Sequence, residues 1–230
     1  MIIEKHKTIF VHIPKSAGTS ILHYFNENKK IDFISELGMH DSIHQIRKSY
    51  PDLYKNYKKF SIVRNPYDKM VSWFFYLRKH ECINSNTSFS NEIERLKKIR
   101  LELTKTNNFL DFIEFNAWVK DFSTFQNAIN IVTDFYEKMF NRTDTNNKCW
   151  LGNASNFLNP QHTWLDDTVK IIKFENLNEE LSDFFKTKIE LPIKNESIHN
   201  HYSTYYNKKS LDIIYNKYEE DFKKFNYKKQ

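Results

Sequence analysis

Glycine is scarce in this chain, with 3 among 230 residues, and proline adds only 5. That poverty excludes collagen-like and low-complexity sequences. Cysteine is scarcer still: Cys82 and Cys149 are the only two. They make neither a disulfide framework nor a zinc site, and they read as thiols in a reducing compartment. No apolar run approaches the roughly 20 residues that cross a bilayer. The opening stretch, Met1 to Lys7, is mixed and charged, without the apolar core of a secretory signal. The expectation is a soluble, cytoplasmic protein without a transmembrane segment. The Asn-x-Ser/Thr sequons at Asn86, Asn141, Asn153 and Asn195 are then chance features of an Asn-rich chain.

What is present is apolar and aromatic mass. The hydrophobic fraction of 40% and aromatic fraction of 16% exclude a disordered chain. The length suits a single domain over residues 1–230 with a large core. The formal net charge is +6, which favours anionic partners. The lysines are dispersed rather than interleaved with aromatics in a stripe, which argues against a nucleic-acid partner.

The first two-thirds alternates strand-like and helix-like segments. Thr8 to Ile13 and Lys59 to Arg64 are short, β-rich and apolar, as parallel strands buried on both faces are. Ile31 to Ile34 reads as a further strand, and Thr168 to Phe174 as a late one. Helices are expected from Thr19 to Asn28, from an Asp41 cap to Ser49, from Pro66 to Lys79, and from Leu177 to Phe185. Residues 89–140 look largely helical, and Asn141 to Asn159 irregular. Near the end, Leu211, Ile214, Tyr215, Tyr218, Phe222 and Phe225 recur at a helical period. The expected fold is α/β: a three-layer, P-loop-like parallel sheet flanked by helices, with helical insertions.

Two strand-to-helix corners carry the chemistry. In the first, Phe10-Val11-His12-Ile13-Pro14-Lys15-Ser16-Ala17-Gly18-Thr19-Ser20 runs from a strand through a tight turn into a helix. Such a corner aims successive backbone N–H groups at one point beside a positive helix end, where an anion is stabilised. Lys15 adds a cation, Thr19 and Ser20 add hydroxyls, and Gly18 permits close approach or a positive φ. Walker A has its Lys directly after the second Gly. Here Lys15 precedes Gly18 by three. In the second corner, Phe60 to Trp73, Arg64 stands where a strand ends and a helix begins. A carboxyl edge of that kind is where open α/β sheets bind ligands, and an Arg fork grips phosphate bidentately. Ser72 follows two helical turns on. Read alone, Arg64 can equally pair with a carboxylate, and Ser72 can be a helix-surface residue.

Taken together, the His-Ile-Pro-Lys-Ser-Ala-Gly-Thr-Ser and Val-Arg-Asn-Pro-Tyr-Asp segments resemble the PAPS-dependent sulfotransferase superfamily. Their wording is closest to its carbohydrate branch, sulfotransferase family 2, which includes heparan and chondroitin enzymes. Lys173-Phe174-Glu175-Asn176-Leu177 resembles the late strand and turn of that branch. Leu191 to Ser197 with Tyr202 to Tyr206 resembles the loop that closes over the nucleotide. The similarity is weak between about residues 80 and 165, where acceptor specificity is expected.

The resemblance implies sulfuryl transfer from 3′-phosphoadenosine 5′-phosphosulfate (PAPS) to an acceptor hydroxyl, on a glycan, without a metal. It implies Lys15 at the bridging oxygen of the leaving phosphate. Ser16, Ala17, Gly18, Thr19 and Ser20 would hold the 5′-phosphate, and Arg64 and Ser72 the 3′-phosphate. Ser197 and Tyr202 would lie in the closing loop, along with His199 and His201. Ser16 stands where Thr is commoner, and Lys69 where Arg is commoner. His40 is the expected general base and His44 the reserve, while His12 reads as a structural residue under the loop. The alternatives are another phosphate-loop enzyme such as a small-molecule kinase, and a nucleotide-binding homologue without catalysis.

Overall fold

A computed structural model describes residues 1–27, 40–79, 112, 115–116, 119–120, 159–194 and 199–230. The expected strand at Ile31 to Ile34 lies outside the described residues. So do the stretch from Asn141 to Leu158 and all of 89–140 except five helical residues. The described chain forms two compact units.

The first unit comprises Met1–Asn65, Asn159–Glu196 and Lys223–Tyr227. Its sheet has the order β1 (Ile2–Ile3), β2 (Thr8–Val11), β3 (Lys58–Val63) and β4 (Lys170–Lys173). The parallel pairs β2–β3 and β3–β4 were expected, with Phe10 opposite Phe60 and Ile62 opposite Ile172. The sheet is nevertheless mixed rather than wholly parallel, because β1 runs antiparallel to β2. The connection explains this. One 3₁₀ turn, Glu4–His6, and a left-handed Lys7 separate the strands, and only an antiparallel return fits so short a link.

Period 2 puts Phe10, Phe60, Ile62 and Ile172 on one face. Ile21 and Phe25 from α1 (Gly18–Glu27) pack against them, as does Leu181 from α5 (Leu177–Phe185). Phe10 and Phe60 stack at 4.9 Å, and Phe60 also meets Phe184 and Phe185. Each such aromatic contributes about 1.5–3 kcal/mol by leaving water. Ile9, Val11 and Val63, on the opposite face, are also fully buried. Both faces of β2, and of β3 from Phe60 onward, are therefore dry, which is why these stretches read as mostly apolar.

Between β2 and β3 lie α2 (Ile43–Ser49) and α3 (Pro51–Asn56). The cap of α2 is Ser42, not Asp41. Ser42 Oγ accepts from the Gln45 N–H, and Gln45 Oε1 accepts from the Ser42 N–H at 2.8 Å. This reciprocal box satisfies two orphan donors at once, which a lone Asp41 does not. The helix therefore starts at Ile43, and His40 precedes it.

The second unit comprises Pro66–Leu158, Ser197–Phe222 and Lys228–Gln230. In it α4 (Pro66–Lys79) begins with Pro at its first position, as expected. Its buried residues Tyr67, Met70, Trp73 and Phe74 share an aromatic core with Phe115, Tyr205 and Tyr206. The long helix α6 (Lys208–Lys224) buries Ile214, Tyr218 and Phe222, with a kink at Tyr218. Leu211 and Tyr215 of the expected stripe are only half-buried, and Asp221 is fully buried within it. Burial draws the Lys69 ammonium down to about 8, against the pull of the Asp221 charge. Among the described residues no helix is long and apolar enough to cross a membrane.

Candidate active site

The parallel strands β2, β3 and β4 end at Val11, Val63 and Lys173. Their carboxyl ends lie side by side, and three loops leave from them. Ser61 Oγ donates to the Val11 carbonyl at 2.7 Å, which pins the end of β2 to β3 just before the first loop departs.

That loop runs from His12 to Ala17 and enters α1 at Gly18. Lys15 (φ 65°) and Ala17 (φ 56°) are both left-handed, on either side of Ser16. Alternating left-handed residues turn successive N–H groups inward, the backbone form of an anion nest. Ser16 is fully buried, and its Oγ has no hydrogen-bond partner among the described residues. A buried hydroxyl left so is costly, and a bound anion's oxygen would satisfy it. The loop thus fits a phosphate group.

Gly18 plays a different part from the two expected of it. Its φ is not positive. A Cβ there would stand 1.7 Å from His12 Nε2, so the missing side chain makes room for the imidazole. His12 accordingly lies buried beneath the loop, stacked on Phe10 at 5.6 Å. Thr19 follows on the first turn of α1. Ser20 Oγ accepts from the Lys194 N–H at 3.3 Å, which brings the described part of the expected closing segment onto α1.

Arg64 reaches the same loop. Its Nη1 donates to the Lys15 carbonyl at 3.2 Å, and its guanidinium carbon sits 4.2 Å over the Phe174 ring. The Arg64 backbone is held from behind by Gln161: the Arg64 N–H donates to Oε1 at 3.0 Å, and Nε2 donates to the Arg64 carbonyl at 2.8 Å. Glu175 Oε1 accepts from the Asn65 N–H at 2.9 Å. The stretch from Lys173 to Leu177 therefore has concrete roles, with a ring under Arg64 and a carboxylate on Asn65. Gln161 went unnoticed in the sequence, where no motif marks it.

His40 stands beside the loop. Its ring lies 4.2 Å from that of His12, and its Nδ1 is 3.1 Å from the His12 carbonyl oxygen. A carbonyl only accepts, so Nδ1 carries the proton and Nε2 is the basic nitrogen. Burial, above all, lowers its pKa to about 4, so the imidazole is neutral near pH 7. His44 is exposed on α2. Burial opposes the charge of Asp166, but hydrogen bonds from Thr168 and Tyr54, with a smaller part from nearby His44, hold its carboxyl below the usual carboxylate range.

Lys15, Ser16, Ala17, Gly18, Thr19, Ser20, Arg64 and His40 are thus all in the first unit. Ser72 is buried on α4, and Tyr202 stacks on Tyr67 at 6.5 Å; both belong to the second unit. In that unit His199 stacks on Phe75, and the His201 ring caps the 3₁₀ turn Tyr202–Thr204. Ser197 lies outside the described residues. Among the described residues no three of His, Cys, Asp and Glu are grouped to hold a metal ion.

No curated protein and no solved structure shows significant similarity to this chain. A family model described as the sulfotransferase family matches residues 1–228. That match takes in the Lys15 loop, the Arg64 corner and the Phe174 turn together, and so the chain belongs to the sulfotransferase family, in the family 2 branch of the PAPS-dependent sulfotransferases.

Proposed function

We propose that this chain transfers a sulfuryl group from PAPS to an acceptor hydroxyl, on a carbohydrate, and that residues 1–230 act as one sulfotransferase domain. The observation that carries the reading is the junction of Lys15 and Arg64 at the carboxyl ends of β2 and β3. It offers one cation to each phosphate of a 3′,5′-substituted nucleotide.

The parts divide the work. The backbone of residues 16–20, with the Ser16, Thr19 and Ser20 hydroxyls, takes the 5′-phosphate at the helix start. Lys15 neutralises the charge that grows on that phosphate as its bond to sulfur breaks. Arg64 takes the 3′-phosphate, which separates this donor from ATP. The family resemblance assigns Ser72 to that phosphate as well, and Ser197 and Tyr202 to the nucleotide. His40 Nε2 accepts the acceptor's proton as the hydroxyl oxygen bonds to sulfur. Its lowered pKa keeps the nitrogen unprotonated, at the cost of basicity.

Thermal unfolding with adenosine 3′,5′-bisphosphate, adenosine 5′-phosphate and ATP tests the donor. A ligand at about 100 times its Kd adds roughly 2.7 kcal/mol, a rise of about 5–10 °C for a chain of this size. The expected result is a rise with the bisphosphate that exceeds the other two and vanishes in Arg64→Ala. Equal responses to all three would refute the reading, and a preference for ATP with magnesium would replace it with a kinase.

A further inference from the structure

Arg64 stands where β3 has ended and α4 has not begun, so side chains supply the partners of its main chain. Gln161, fully buried, pairs its amide with both the N–H and the carbonyl of Arg64. A primary amide carries its donor and its acceptor at fixed geometry, which suits this double pairing. Asn65 N–H is held by Glu175 Oε1. The Tyr227 hydroxyl donates to Glu175 Oε2 at 2.9 Å and lies 3.3 Å from the Val63 carbonyl oxygen. Residues 63, 64 and 65 are therefore each gripped by a side chain from a distant part of the chain. Phe174 then supports the guanidinium from below at 4.2 Å.

We propose that Gln161 and Phe174, backed by Glu175 and Tyr227, are positioning residues that fix where the Arg64 fork stands. The preference for a nucleotide bearing a 3′-phosphate depends on them. This rests on the reading of Arg64 as the ligand of that phosphate. The physical reason is preorganisation. A long side chain already held in one place loses little freedom when its anion arrives, and a planar fork misaligned by its backbone loses one of its two bonds.

The experiment is titration calorimetry of adenosine 3′,5′-bisphosphate and adenosine 5′-phosphate on the full chain. It compares wild type, Arg64→Ala, Gln161→Met and Phe174→Leu, with the melting temperature of each recorded. Gln161→Met keeps the volume and removes both hydrogen bonds; Phe174→Leu keeps an apolar contact and removes the ring face. Wild type is expected to prefer the bisphosphate, and Arg64→Ala to lose that preference. Gln161→Met and Phe174→Leu are each expected to weaken the bisphosphate about tenfold while leaving 5′-phosphate binding unchanged. A merely structural role would weaken both nucleotides alike, and that result overturns the proposal. So does retention of the preference in both variants when Arg64→Ala abolishes it. A wild type without preference refutes the Arg64 reading itself and the proposal with it. Should Gln161→Met fail to fold, Phe174→Leu decides alone.

Discussion

A methyl group at position 18 has nowhere to go, because it would stand 1.7 Å from the His12 ring nitrogen. Gly18→Ala is therefore expected to destabilise by about 1–3 kcal/mol through overpacking. His12→Ala should relieve much of that cost, so a double-mutant cycle in urea is expected to show strong coupling. Additive costs would rule the contact out. The glycine's place in a strand–turn–helix corner was legible from the sequence, but its reason was not. Anion approach and a positive φ both fitted the wording, and in the structure the left-handed residues are Lys15 and Ala17. Arg64 was legible too, since a strand and a Pro-started helix meet at it. Gln161 was not, because nearly a hundred residues separate it from Arg64 and a solitary Gln has no local signature.

Helix α2 shows why boundaries are harder to read than elements. Asp41 and Ser42 are both good caps in the abstract, and what decides is the residue three positions on. Gln45 answers Ser42. Ser42→Ala is expected to cost about 1 kcal/mol, and Asp41→Ala clearly less, in equilibrium denaturation of the full chain. Equal losses would return the cap to Asp41. The segments α4 and α5 follow their expected bounds, since Pro66 starts one and an apolar period of 3.6 runs through the other. β1 escaped notice because two residues carry no period. α3 did as well, being six residues that start at Pro51 directly after the end of α2.

For the molecule as a whole, the half-buried His40 and the fully buried Lys69 give stability a pH dependence. The His40 pKa falls from 6.5 to about 4, and the Lys69 pKa from 10.5 to about 8, both by burial foremost. In each window the unfolded chain binds a proton that the folded chain has lost. Stability therefore rises with pH across both windows. For His40 that is between about pH 4 and 6.5, and for Lys69 between about pH 8 and 10.5. Urea unfolding from pH 5 to 10 is expected to show both slopes, and Lys69→Met to abolish the alkaline one; a slope that survives belongs to another group.

The loop between β2 and α1 places two side-chain-bearing residues, Lys15 and Ala17, in a conformation that suits glycine better. Each costs of order 1–3 kcal/mol. Glycine at either position relaxes the turn, so selection for heat resistance alone drifts toward Lys15→Gly and Ala17→Gly. The first of these removes the cation assigned to the leaving phosphate. Stability and turnover therefore pull in opposite directions at position 15, and a thermostable lineage of this chain that still turns over has to find its gains elsewhere in the fold.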